Sequence, residues 1–177
     1  MDKKILLFIG LSLLIILCGL LLVLQQDRKQ VVDTQNHLPT TVTINNVKLF
    51  NEYEEKILQE FVADSIRILF RFPSGVCDCF EHEFSEAIKY VITIFGEHRV
   101  FAVISDNKPK DVFFFRERNK LSCPIFSATD TLHNIYDASQ NTYACIIFPD
   151  MTAQNMISVS PKNINELITH AKKIIDK

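Results

Sequence analysis

The sequence predicts an α/β domain, a mixed β-sheet with helices on both faces, behind one N-terminal transmembrane helix. Three observations lead there. Short runs rich in Ile, Val and Phe alternate with amphipathic stretches at helical spacing, in the order β, α, β, α, β, β, α, β, β, α. Helical crossovers between the early strands make parallel pairs, whereas the last two strands are close enough for an antiparallel hairpin. Ahead of them residues 5–24 (ILLFIGLSLLIILCGLLLVL) form an uncharged apolar run. As a helix rising about 1.5 Å per residue, it matches the hydrocarbon thickness of a bilayer.

Composition agrees with a folded domain plus an appendage. The chain has 177 residues, 47% hydrophobic and 23% charged, which excludes the high-charge profile of a disordered chain. A net charge of −2 leaves no basic field for nucleic acid, so no nucleic-acid partner is expected.

The apolar run reads as an uncleaved anchor, because residues 21–24 run directly into Gln25, Gln26 and Asp27 without a small-residue cleavage site. Cys18 follows Leu17, where a lipoprotein signal wants a small residue, so it reads as a lipid-facing thiol. Lys3 and Lys4 with the terminal amine, set against Arg28 and Lys29 beside Asp27, place the N-terminus inside. Residues 1–4 are then a short cytoplasmic tail, 5–24 the anchor, 25–41 a polar linker and 42–177 the domain. That domain is expected on the extracytoplasmic, periplasmic side of the cytoplasmic (inner) membrane in a single-pass protein. Residues 25–177 carry a net charge of −3, so the domain is not expected to hug an anionic leaflet.

Residues 41–49 (TVTINNVKL) alternate as a strand, with Asn45-Asn46 as a kink. Asn51, three residues before Glu54, predicts the cap of a helix through Tyr53, Ile57, Leu58, Phe61 and Val62. Residues 65–72 (SIRILFRF) predict a central strand stopped by Pro73-Ser74-Gly75. Phe80, Phe84, Ala87, Ile88, Val91, Ile92 and Phe95 then share one face of a helix of about four turns, ended by Gly96. A buried strand follows at 99–105 (RVFAVIS), and a third β-rich run at 112–116 (VFFFR). Residues 119–128 read as irregular, and Asp130 as the cap of a short helix through Leu132, Ile135 and Tyr136. Residues 142–148 (TYACIIF) and 155–160 (NMISVS) make the hairpin pair. Ser160-Pro161, a cap with proline at the first helical position, opens a terminal amphipathic helix.

The chemistry-bearing stretch is residues 71–86 (RFPSGVCDCFEHEFSE), which puts Cys77 and Cys79 where a buried strand turns into the long helix. Unpaired N–H groups and the positive dipole end at such a place favour a thiolate. Asp78, Glu81, Glu83 and Glu86 act against it, since nearby carboxylates raise a thiol pKa. Lys89 is the first basic residue along that helix, and His82 is expected to face solvent.

The strand ILFRF, the turn, cysteines opening an amphipathic helix, the strand VFAVIS, the strand TYACIIF with its hairpin partner and the final helix together resemble the thioredoxin fold. They are most similar to membrane-tethered envelope proteins of the TlpA and ResA kind, over roughly residues 42–177. The resemblance implies a thiol-disulfide oxidoreductase with Cys77 and Cys79 as the catalytic pair and the thiols or disulfides of envelope proteins as partners. Two departures stand out. Cys77-Asp78-Cys79 is one residue shorter than the family's C-x-x-C, with Val76 or Phe80 in place of a cysteine. Thr142, Tyr143 or Ala144 stands where the family has a cis-proline.

Three uses of the cysteines remain open. A C-x-C pair forms a short, easily reduced disulfide suited to exchange or isomerisation. Cys77, Cys79 and His82, with His133, make a metal-capture set like the thioredoxin-fold copper chaperones, though without structural-zinc spacing. The third is a degenerate domain that binds without catalysis. Cys145, inside an apolar strand, reads as core; Cys123, beside Pro124, reads as a resolving or a free thiol; and the four cysteines outside the anchor allow three full pairings. Phe113-Phe114-Phe115 reads as a strand packed on both faces, Arg71 as a solvated strand end, and His98, His133 and His170 as element-end residues. No Walker loop, G-x-G-x-x-G or G-x-S-x-G occurs, and no cofactor is expected.

Overall fold

The computed structural model describes residues 41–73, 80–105, 108–128 and 130–175, and residues 40–177 form one compact unit. The first strands are β1 (Thr41–Thr43), β2 (Lys48–Phe50) and β3 (Glu55–Ile57), followed by the short helix α1 (Leu58–Val62). Next come β4 (Arg67–Phe72), α2 (Glu81–Phe95), β5 (Val100–Ile104), α3 (Pro109–Asn119) and β6 (Ile125–Ser127). The chain continues through α4 (Asn134–Ala138), β7 (Tyr143–Ile147), β8 (Thr152–Ser158) and α5 (Pro161–Ile175).

The described strands form one sheet in the order β1-β8-β7-β4-β5-β6-β2-β3. β4, β5 and β6 run parallel, because helices return the chain to the same end of the sheet each time. β7 pairs antiparallel with β4, and β8 with β7. Alternation along each strand feeds two cores. Ile68 and Phe70 of β4 face α2, α3 and α5, while Leu69 packs with Phe101, Phe126, Cys145 and the residues of α1 on the opposite face. The helices thus cover both faces, as the sequence predicts.

α2 buries Phe84, Ile88 and Val91, and Gly96 ends it at φ 80, where its N–H reaches the Ile92 carbonyl at 2.8 Å. α5 buries Ile164, Leu167, Ile168 and Ala171. Pro161 is its first residue, Ser160 Oγ accepts the Asn163 N–H at 3.3 Å, and the Ser160 carbonyl accepts from Ile164 at 3.0 Å.

Four local expectations are corrected. Residues 112–116 belong to α3 rather than a strand. Pro109 suits the first turn of a helix, Val112 and Phe115 are buried three residues apart on one side, and Phe113 and Phe114 face outward. The Phe triplet hides that helical spacing, because it reads as a continuous apolar run. β6 lies inside the stretch 119–128, which reads as irregular from sequence; its three residues pair with β5 and are all buried.

Asn51 caps a turn instead of a long helix. Its Oδ1 accepts the Tyr53 and Glu54 N–H groups at 2.8 and 3.0 Å, and Glu55–Ile57 then pairs with β2, leaving helix only from Leu58. The cap of α4 is His133, whose Nδ1 accepts the Tyr136 N–H at 3.4 Å, rather than Asp130. The kink at Asn45-Asn46 is a break between β1 and β2.

Phe84 ties α2 to the sheet through edge-on contacts with Phe70 and Phe72, their ring centroids 5.9 and 5.2 Å away, and packs on Phe115 of α3. Phe84→Ala is expected to lower the unfolding free energy by about 3–5 kcal/mol, read from urea unfolding of the full chain.

Candidate functional site

The parallel strands β4, β5 and β6 all end at one edge of the sheet, the side on which open α/β sheets place their ligands. At that edge β4 passes through Pro73 into the segment leading to α2. Cys77 and Cys79 belong to this segment and lie outside the described residues, but both of its ends are fixed. Phe80, half exposed, precedes α2 and makes no side-chain hydrogen bond to it, so the N–H groups of the first turn are uncapped by that residue.

The carboxylates around the helix start are more strongly paired than their number suggests. Glu81 accepts two bonds from Arg118, at 2.8 and 2.7 Å, and another from Asn119 Nδ2. Glu86 accepts from Lys89 at 2.8 Å, and that hydrogen bond is the main reason its carboxyl is held below the usual range. Glu83 has no ion pair among the described residues. Two of the carboxylates expected to oppose a thiolate therefore spend their charge on cations.

On the other face of the sheet, at the same edge, lies a buried polar cluster. Arg71 is only 2% exposed, which corrects its expected place as a solvated strand end. Its Nε and Nη2 donate to Asp137 Oδ1 and Oδ2 at 3.3 and 3.2 Å, and its Nη1 donates to the Val103 carbonyl at 3.4 Å. Asp137 also accepts from the Tyr143 hydroxyl at 2.9 Å and the Leu132 N–H at 2.8 Å. Burial, reinforced by Asp137, pushes the Tyr143 phenol well above its ordinary range, so it remains a donor. A cavity of about 530 Å³ opens above this cluster, lined by Arg71, Pro73, Ser105, Thr131, Asn134 and Asp137 among others.

No protein-family model matches the chain, and no curated protein matches it. Solved structures do. The thioredoxin domain of a thiol-disulfide oxidoreductase from Bacteroides vulgatus superposes with a TM-score of 0.56 at 11% identity, covering 78% of this chain and 99% of that one. PrxQ from Xylella fastidiosa gives 0.53 at 18% identity over 76% of this chain and 98% of its own. A thiol:disulfide interchange protein from Bacteroides sp. gives 0.51 at 12% identity, over 79% and 92%. The domain has the thioredoxin fold.

Within the thioredoxin fold the described thiols are poor nucleophiles. Cys123 is buried among the residues facing α2 and α3, where burial pushes its thiol up to about 12. Cys145 is wholly buried in the opposite core, its thiol likewise raised by burial, as expected of a small core residue. Both are free, and they sit on opposite sides of the sheet, so the full pairing that joins them is excluded. Cys123 is thus a free buried thiol in this structure.

Thr142, just before β7, is buried, and its carbonyl accepts the Val159 N–H at 3.1 Å; no cis peptide bond occurs among the described residues. His82 is exposed on α2, while His133 caps α4 across the sheet, so the two histidines of the metal-capture set are not brought together. Among the described residues no group of three His, Cys, Asp or Glu side chains is placed to hold a metal ion. Nor is any described helix long and apolar enough to cross a membrane; residues 5–24 lie outside the described residues.

Sequence reasoning missed the Arg71–Asp137–Tyr143 cluster. The available signal was an arginine inside a strand apolar enough to be central, since a buried cation demands a buried anion. Asp137→Ala, which strands the Arg71 charge, is expected to cost about 3–5 kcal/mol in urea unfolding, and the Arg71→Met, Asp137→Leu double variant clearly less than the sum of its single changes. In the native chain at about pH 8, peptide mapping after iodoacetamide treatment should leave Cys123 and Cys145 unlabelled and show both labelled once urea is added.

Proposed function

We propose that the chain is a membrane-tethered, extracytoplasmic thioredoxin-fold protein that exchanges thiols and disulfides through Cys77 and Cys79. One observation carries this reading. The segment holding both cysteines joins the C-terminal end of β4 to the first turn of α2, in a fold shared with thiol-disulfide oxidoreductases. Elimination supports it, because Cys123 and Cys145 are sealed in the two cores with raised thiol pKa values.

In the reductive direction the Cys77 thiolate attacks one sulfur of a partner's disulfide, forming a mixed disulfide and releasing the partner's other sulfur as a thiolate. The Cys79 thiolate then attacks the Cys77 sulfur, and the second partner sulfur leaves. The partner gains two electrons and ends as a dithiol; Cys77 and Cys79 end as a disulfide. Cys77 is assigned the attacking role because Cys79 is closer to α2 along the sequence, which makes it the weaker candidate for the nucleophile. Pairing of Glu81 with Arg118 and of Glu86 with Lys89 removes part of the field that would otherwise oppose the Cys77 thiolate.

A second reading, a binding module on the same fold, draws on Thr142 in place of proline and on the shortened cysteine spacing. Insulin reduction with dithiothreitol as electron source separates the two. The full chain should accelerate insulin precipitation at least about tenfold over buffer, the Cys77→Ser, Cys79→Ser variant should fall to the buffer rate, and Cys123→Ala should stay within about twofold of the parent. Equal rates for parent and double variant would end the exchange reading and leave the binding module.

A further inference from the structure

Apart from Arg118, which pairs with Glu81, the outward side of α3 has no part in the exchange chemistry, yet it carries a group of exposed rings. Phe113 and Phe114 are 37% and 59% exposed, and Tyr53, in the β2–β3 turn, is 76% exposed. The Arg116 guanidinium joins them, lying 5.7 Å from the ring centroids of both Tyr53 and Phe113, with Phe114 5.6 Å beyond Phe113. The three rings therefore form one apron rather than scattered exposed side chains.

Cations are concentrated along α3 and at its two ends. Residues 108–120 contain five basic and two acidic side chains, so this face departs locally from the net charge of −3 that by itself argues against contact of the domain with an anionic leaflet. Arg116 and Arg118 are matched by Glu52 and Glu81, while Lys108, Lys110 and Lys120 are exposed and make no ion pair among the described residues. Exposed rings fringed by unpaired lysines suit a lipid interface, where aromatic rings sit at headgroup depth and lysines reach phosphates. Protein interfaces, by contrast, are depleted in lysine.

The length of chain ahead of the domain favours the same occupant. Sixteen residues, 25–40, separate the apolar run from β1, a reach of at most about 55 Å. β1 is one edge of the sheet, and five strand spacings, about 24 Å, separate it from β6, on which α3 packs. A surface held within that reach of a bilayer meets it at high effective concentration, so weak contacts suffice.

We propose that the aromatic face of α3, together with Tyr53, docks on an anionic phospholipid surface, with Phe113 and Phe114 entering the interface and Lys108, Lys110 and Lys120 meeting lipid phosphates. The proposal rests on the tethered reading above. The chain contains no Trp, so Phe114→Trp gives a single reporter in the full protein. In vesicles of brominated phosphatidylcholine and phosphatidylglycerol, its emission should shift to the blue and be quenched about twofold or more, less in phosphatidylcholine alone. Ile135→Trp, at an exposed position of α4 across the sheet, should stay unquenched, and Lys108→Glu, Lys110→Glu, Lys120→Glu on the reporter background should abolish the effect. A chain that fails to float with vesicles sinks the tether and the docking together. A chain that floats while Phe114→Trp emits as in water, is quenched no more than Ile135→Trp, or shifts to the blue without quenching as protein concentration rises overturns the docking alone; the last result assigns the face to a second copy of the chain.

Discussion

Arg71 carries a full positive charge into a strand that is paired on both sides and buried on both faces, and the C-terminal edge of the sheet is arranged around neutralising it. Asp137 supplies the countercharge, and its remaining acceptor capacity is taken up by Tyr143 and by the Leu132 N–H. This one ion pair fixes three elements at once: the end of β4, the short helix α4 and the start of β7. Such a pair contributes little net stability compared with apolar residues of the same size, because both ions lose their water. Its worth here is positional, since the strand it anchors leads directly into the segment that holds the cysteines.

The opposite face of the same edge is held by apolar contact and by a second ionic clamp. Phe84 seats the first turns of α2 against Phe70 and Phe72, and the Arg118–Glu81 pair, with Asn119, ties the start of α2 to the end of α3. The two ends of the cysteine segment are thus fixed by different physics, buried charge under β4 and aromatic packing with a surface ion pair under α2. Arg71 stands two residues before Pro73, and Glu81 opens α2, so each clamp acts close to one end of the segment.

Legibility in the sequence followed the range of the interaction. β4, α2, β5, β7 and α5 are readable because each has an unbroken local pattern, and Gly96 and Ser160-Pro161 mark boundaries by backbone chemistry alone. Residues 112–116 were not, since three consecutive Phe residues satisfy a strand pattern as well as a helix pattern, and only packing on β6 decides which two apolar side chains turn inward. The helix expected after Asn51 lost to pairing of β3 with β2, a contact with the neighbouring strand that no helical window registers. At the site, Cys77 and Cys79 stand out by type and spacing. Asp137 does not, because its partner is 66 residues away.

By itself the sequence determined the mixed α/β class of the domain, the elements β4, α2, β5, β7 and α5, the burial of Cys145 and the identity of the candidate thiols, all of which follow from local periodicity, turn residues and side-chain chemistry. Tertiary structure alone decided that Arg71 is an interior ion-pair member, that Cys123 is a buried free thiol across the sheet from Cys145, and that two of the three consecutive phenylalanines face outward. The reason is the same in each case. Burial of a charge, a thiol or a ring depends on which distant segment comes to cover it, and that is settled only when the sheet and its two layers of helices assemble.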